Sequence, residues 1–289
     1  MSGWPSDYAR AWTLATAVER CGVGLHSGAV ARVRLQPSAL PGYRVGWLER
    51  PEEPLQRLAP SQVCDTQLCT TLQLHGGRLA TVEHLLAALA GCGVSQAEIL
   101  VEGGEIPLLD GSALPWVEAI GEAGLQERGE RTPLPLPPQP LLLRHGLSFA
   151  AVTPAEQLRL GCAVEYPQAA IGRQLYSLDL TPEAFVREIA PARTFGFREQ
   201  VEQLRAAGLI RGGALDNALV CDGAEWLNPP LRYGDEPVRH KLLDLLGDLA
   251  LVGLPQAQVF AYRGSHGLHT ALAAALAAQP QPPAPLAIP

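Results

Sequence analysis

Lysine is nearly missing from this chain: Lys241 is the only one, and arginine supplies the rest of the long basic side chains. A bias of that kind is genomic, so the position of Lys241 proves nothing alone. Positive charge is also short overall, and the formal net charge is −7. A general nucleic-acid binder needs a basic surface to meet the phosphates, so that class is set aside. An anionic substrate can still be held by a local basic site. Long apolar runs are lacking too. Nothing approaches the roughly 20 residues of a membrane-spanning helix, and the N-terminus MSGWPSDYAR has no apolar signal core. Cysteine pairs of the CxxC type are absent; Cys21, Cys64, Cys69, Cys92, Cys162 and Cys221 are scattered. A chain of 289 residues buries enough core without covalent staples, so these read as reduced thiols. The expectation is a soluble, cytoplasmic monomer without stable membrane insertion.

What is present reads as two α+β halves. The proline-dense segment RTPLPLPPQP, 131–140, continues neither a helix nor a central strand and reads as a linker. It separates a first domain, 1–130, from a second, 141–279. The proline-rich stretch 280–289 reads as a disordered tail. In the first half, VARVRL (30–35) alternates like a strand. Thr81 is placed to cap a helix through VEHLLAALAG, with Gly91 near its end. A short strand at 97–101 and a helix at 114–125 follow. In the second half, 158–166 reads as a strand, 185–189 and 198–207 as helices. Pro237 suits the first turn of a long helix, VRHKLLDLLGDLALVG. A strand at 258–262 and an alanine-rich helix at 269–278 close the pattern. Two halves of one plan suggest a structural duplication, although no strong sequence repeat links them.

The chemistry starts on the long second-half helix. His240 and Asp244 are four apart and project from one face; Asp248 continues the stripe among leucines. Buried polar groups cost free energy unless paired or bound to a metal. The i, i+4 spacing suits two ligands on one ion, and equally a solvated face or a plain His–Asp hydrogen bond. His84 on the first-half helix can complete a ligand set of two histidines and an aspartate, and the adjacent Glu83 can act as general base. Alone, the Glu-His pair also fits a surface glutamate beside a core histidine. His266, in RGSHGLHT, sits in a loop after a predicted strand, where it serves as an acid or oxyanion stabiliser, or merely meets solvent.

The segments GVGLHSG, DTQLCTTL, TVEHLLAALAG, EIPLLDGSALPWV, ARTFGF, GGALDNALV and EPVRHKLLDLLGDL occur in the order found in the zinc-dependent UDP-3-O-acyl-N-acetylglucosamine deacetylases. The resemblance covers nearly the whole chain. It implies two related α+β domains of ribosomal S5 domain 2-like topology, each a sheet packed against helices, with the active site between them. It implies deacetylation of a UDP-linked, acylated amino sugar, the committed step of lipid A synthesis. By position, His84, His240 and Asp244 resemble the zinc ligands and Glu83 the general base. His266 resembles the group that stabilises the charged intermediate or protonates the amine, and Asp248 its orienting partner. Thr194 resembles the hydroxyl on the acetyl carbonyl, Phe195 a substrate-contacting aromatic, and Lys241 a contact to the sugar or phosphates. An insert from Phe195 to about Val220 resembles the apolar passage for the acyl chain, with Val201, Ile210, Leu215 and Val220 as lining. Leu68 and Cys69 match residues near the site mouth, Cys69 fitting core packing equally well. Two positions depart: where the family often has Gly and Asn flanking the loop histidine, this chain has Ser265 and His269. A zinc amidohydrolase on another amide, or a non-enzymatic binding module of the same fold, are the alternatives.

Overall fold

The structure is a computed structural model that describes residues 3–131 and 140–279. Apart from Arg131 and Pro140, the expected linker lies outside the described residues, as does the whole of the expected tail.

Each half is built on a five-stranded sheet. The first holds β1 (Val18–Val23), β2 (Val30–Gln36), β3 (Gly42–Trp47), β4 (Gln56–Arg57) and β5 (Gln96–Glu102), in the order β1-β2-β5-β3-β4. Only β3 and β5 run parallel. The second holds β6 (Leu141–His145), β7 (Ser148–Pro154), β8 (Arg159–Glu165), β9 (Arg173–Asp179) and β10 (Ala257–Tyr262), in the order β6-β7-β10-β8-β9. Only β8 and β10 run parallel. Strand for strand the two orders are the same, so the α+β duplication lives in topology where sequence similarity has faded. Period-two patterning sets which face is inside: Ala31, Val33 and Leu35 of β2 are buried, while Val30, Arg32 and Arg34 face out.

The helices repeat the same plan. Helix α1 (Glu83–Gly91) leads into β5, and α2 (Leu114–Ala123) follows it. In the second half α3 (Arg198–Ala206) precedes α4 (Glu236–Leu249), which leads into β10, and α5 (His266–Ala277) follows. Every residue of α1 is buried, and α4 exposes little beyond Arg239 and Lys241. The two helices pack on each other. They come close at Gly247, where a Cβ would lie 2.0 Å from the Glu83 carbonyl oxygen. Glycine inside a helix costs about 1 kcal/mol relative to alanine; here nothing larger fits.

Several element ends differ from the sequence reading. Thr81 does not cap α1. Its φ is 59°, and its hydroxyl donates to Glu105 at 3.1 Å, so the helix starts from Val82 without a side-chain cap. Helix α2 stops at Ala123, because Gly124 turns at φ 68° and Leu125 opens a strand, Leu125–Glu130, paired with Arg10–Leu14. The segment Phe185–Ile189 is a π-helical turn. Helix α5 begins at His266, not His269. Ser265 is its cap, with its hydroxyl accepting the Leu268 N–H at 3.3 Å. His266 is therefore a first-turn helix residue and not a loop residue.

Candidate active site

The contact of α1 with α4 brings residues from both halves together. His84 is the second residue of α1; His240 and Asp244 share one face of α4. The Nε2 atoms of His84 and His240 lie 3.7 Å and 3.3 Å from the same oxygen, Asp244 Oδ1. The two rings meet edge to face, with centroids 4.9 Å apart. The His240 Nδ1 sits 3.0 Å from the Ala192 carbonyl oxygen, which can only accept, so Nδ1 carries the proton and Nε2 presents a lone pair. Burial pushes the His240 pKa down to about 3, which keeps this ring neutral. Asp244 Oδ1 is buried and finds no hydrogen-bond partner among the described residues. Its other oxygen accepts from Lys241 Nζ at 2.8 Å. Burial alone would raise the Asp244 pKa, but Lys241 and then His240 reverse that and hold it well below the usual carboxylate range. An ionised oxygen facing an imidazole lone pair is repulsive, and a buried polar atom left unpaired costs about 1–3 kcal/mol. A divalent cation satisfies all three donors at once, and two imidazoles with one carboxylate form a set that zinc accepts.

Beside this cluster stands a second layer of acid and base. Glu83 opens α1, is 2% exposed, and accepts the Thr70 N–H at 3.0 Å. Burial raises its pKa; His266 and His84 pull it back only in part. Asp248, one turn beyond Asp244, is fully buried. Its Oδ1 accepts from the Thr70 hydroxyl at 2.5 Å. Its Oδ2 lies 2.9 Å from His266 Nδ1 and 3.1 Å from His269 Nδ1. Burial opposes a charge on His266, but Asp248 overrides it, aided by Glu83 and Asp244, and the pKa rises to about 9. His266 is thus a cation at neutral pH, held next to Glu83.

The segment ARTFGF lies alongside. Glu236, fully buried in the first turn of α4, accepts the Arg193 backbone N–H at 3.0 Å and its guanidinium Nε–H at 2.9 Å. Thr194 donates its N–H to Gly111 O and accepts from Leu219 N–H, both at 2.8 Å, and its side chain is half-buried. Gly111, at φ 84°, lets the DGS turn pass under Asn217, whose carbonyl oxygen would be 2.1 Å from a Cβ there. Phe195 stands edge-on to His240 at 6.4 Å and to Tyr166 at 5.6 Å, and Phe197 completes an aromatic wall. Lys241 Nζ sits 5.6 Å over the Phe195 ring. Its ammonium is committed to Asp244, a contact the sequence did not suggest.

The remaining candidates are more dispersed. Cys69 is buried and contacts Thr71; burial first, then the nearby Glu83, pushes its pKa up to about 12, so it packs as a thiol. Leu68 is exposed, with φ 67°. In the insert, Val201, Ile210 and Val220 are half-buried and Leu215 is exposed. The insert reaches back to the first half, where Gly212 N–H donates to Leu25 O at 2.9 Å. Sequence reasoning missed Thr70, Tyr166, Phe197 and the role of His269. Only the last had a usable signal: His266 and His269 are three apart and share a helix face once Ser265 is read as the cap.

Among the described residues, no helix is long and apolar enough to cross a membrane. Comparison with known proteins agrees with the geometry. A UDP-3-O-acyl-N-acetylglucosamine deacetylase from Thermosynechococcus vestitus is 48% identical over 269 residues, covering 92% of this chain and 94% of that protein. One from Myxococcus xanthus is 41% identical, covering 92% and 85%. An Arabidopsis thaliana protein named as a probable mitochondrial deacetylase of the same substrate is 40% identical, covering 90% and 86%. The family model described as UDP-3-O-acyl N-acetylglycosamine deacetylase matches residues 11–278, and this chain belongs to that family.

Proposed function

We propose that this chain hydrolyses the acetamide of a UDP-3-O-(3-hydroxyacyl)-N-acetylglucosamine, releasing acetate and leaving the free amine on the sugar. One observation carries the reading: two imidazole Nε2 atoms and an unpaired, buried carboxylate oxygen from opposite halves converge at one point. His84, His240 and Asp244 would hold zinc there. When bound, such an ion acidifies a water toward a pKa of about 7 and polarises a carbonyl oxygen.

The chain's own residues do the rest. Glu83, whose basicity burial increases, takes a proton from the attacking water. The C–O bond forms at the acetyl carbon, and negative charge gathers on the carbonyl oxygen. His266, cationic through Asp248, stabilises that charge, and Thr194 supplies a hydroxyl donor; one such donor is typically worth about 3 kcal/mol. The C–N bond then breaks as the nitrogen takes a proton held by Glu83 or His266. Phe195 closes one wall of the site, and the insert offers an apolar path for the acyl chain through Val201, Ile210, Leu215 and Val220. Lys241 keeps Asp244 ionised, and Leu68 and Cys69 lead into Thr70, which contacts Glu83 and Asp248. The substrate and its soluble cytoplasmic setting, with the chain as a monomer, belong to the same proposal.

The test is acetate release from the acylated UDP-sugar, followed by mass spectrometry, with a chelator and zinc readdition. Activity lost to the chelator and restored by zinc is expected. Equal turnover of an unrelated N-acetyl peptide, or turnover that ignores the chelator, would refute the reading.

A further inference from the structure

Asp248 carries two more hydrogen bonds than a simple His–Asp pair requires. Its Oδ1 is taken by the Thr70 hydroxyl, and its Oδ2 lies within 3.1 Å of the Nδ1 atoms of both His266 and His269. An ionised carboxylate only accepts, so both Nδ1 atoms carry protons. The two rings stand on the first turn of α5, three residues apart, with centroids 6.4 Å apart and planes at 78°. His269 is 1% exposed, and its Nε2 has no partner among the described residues. That edge of the ring lies against Gly264, where a Cβ would be 2.3 Å from Nε2. Among the described residues, the whole polar use of the His269 ring is therefore one donated hydrogen bond.

We propose that His269 is a positioning residue: it pins the Asp248 carboxylate from the side opposite His266, so that Oδ2 holds His266 in the form that turns Nε2 toward the reaction. With Thr70 on Oδ1 and one imidazole on Oδ2, the carboxylate can still rock about its Cβ–Cγ bond. A second imidazole on Oδ2 removes that freedom. Ser265 supports the arrangement, since by capping α5 it fixes the turn that carries both rings. The inference rests on the proposed role of His266.

Three observations test it. The ring nitrogen spectrum of the wild-type protein should show a protonated Nδ1 on both His266 and His269; a bare Nδ1 on His269 overturns the proposal whatever any variant does. His269→Asn keeps an amide nitrogen two bonds from Cβ, where Nδ1 stands, and should hold kcat within about threefold of wild type. His269→Leu keeps bulk but donates nothing. It should lower kcat by about 10- to 100-fold, the equivalent of one hydrogen bond to a charged group, with KM nearly unchanged. The His266 Nδ1–H signal should survive in the Asn variant and be lost to solvent exchange in the Leu variant. Asn and Leu variants that fall equally would leave His269 a packing residue and sink the proposal, as would a Leu variant with wild-type kcat. Failure of the proposed function would look different: wild-type protein inactive on the acylated UDP-sugar, with the ring spectra still deciding the role of His269.

Discussion

Asp248→Asn replaces a buried charge by an amide of the same shape, and its consequence can be worked through. In the wild-type protein Asp248 is the main reason that His266 titrates near 9 despite burial. The ordinary histidine value is about 6.5 and burial alone would push it lower, so the neighbouring charges more than offset burial, and the net gain for the charged form is about 3 kcal/mol. Glu83 and Asp244 also face His266, but they add less than Asp248. With the carboxylate gone, burial regains control and the pKa falls to about 6.5 or lower. At pH 8 a histidine with a pKa of 9 is about 90% protonated, while one at 6.5 is about 3% protonated, so activity at that pH should drop about 30-fold. The assay is kcat/KM against pH with the acylated UDP-sugar, which reports groups of the free enzyme. The alkaline limb should begin near 9 in wild type and move to about 6.5 or below in the variant. The same shift is a stability statement. A raised folded pKa stabilises fully below the unfolded value of about 6.5, and that contribution is lost as pH rises through about 9. An alkaline limb that stays near 9 in a well-folded Asp248→Asn protein would refute the reasoning.

Other expectations are simpler to state. Glu83→Gln should lower kcat by about 100-fold or more at unchanged zinc content, measured by single-turnover rates and metal analysis; a loss of only a few fold removes Glu83 as the base. Gly247→Ala gains helix propensity but drives a Cβ into the Glu83 carbonyl, so thermal unfolding should reveal about 1–3 kcal/mol of destabilisation and a weakened zinc affinity. A stability equal to wild type would mean that α1 and α4 do not approach as described. Shortening the substrate acyl chain should raise KM about fourfold for each buried methylene, from about 0.8 kcal/mol apiece. A KM indifferent to chain length would argue against a passage through the insert.

The sequence was most legible where local patterning and local chemistry coincide. Alternation in VARVRL, the leucine-rich frame around His240, Asp244 and Asp248, and the Glu83–His84 pair needed only period and spacing. Element ends were read less well. Thr81 has a capping side chain, yet Glu105, 24 residues away, claims its hydroxyl. The start of α5 reads late in the sequence because the glycines around His266 look like a loop and mask Ser265 as a cap. Thr70 and Tyr166 gave no local sign of their place, since each acquires it only by contact with another segment.

By itself the sequence determined which residue types stand on which helix face, because helical and strand periods are properties of the backbone. Those periods also identified two α+β halves of one plan. Tertiary packing alone decided that the faces of α1 and α4 meet at Gly247, and that Asp248 collects a threonine and two histidines from distant segments. The physical reason is range. Backbone geometry acts over a few residues, whereas the repulsion and desolvation that shape this site need groups brought together by folding, Thr70 and His84 from more than a hundred positions away.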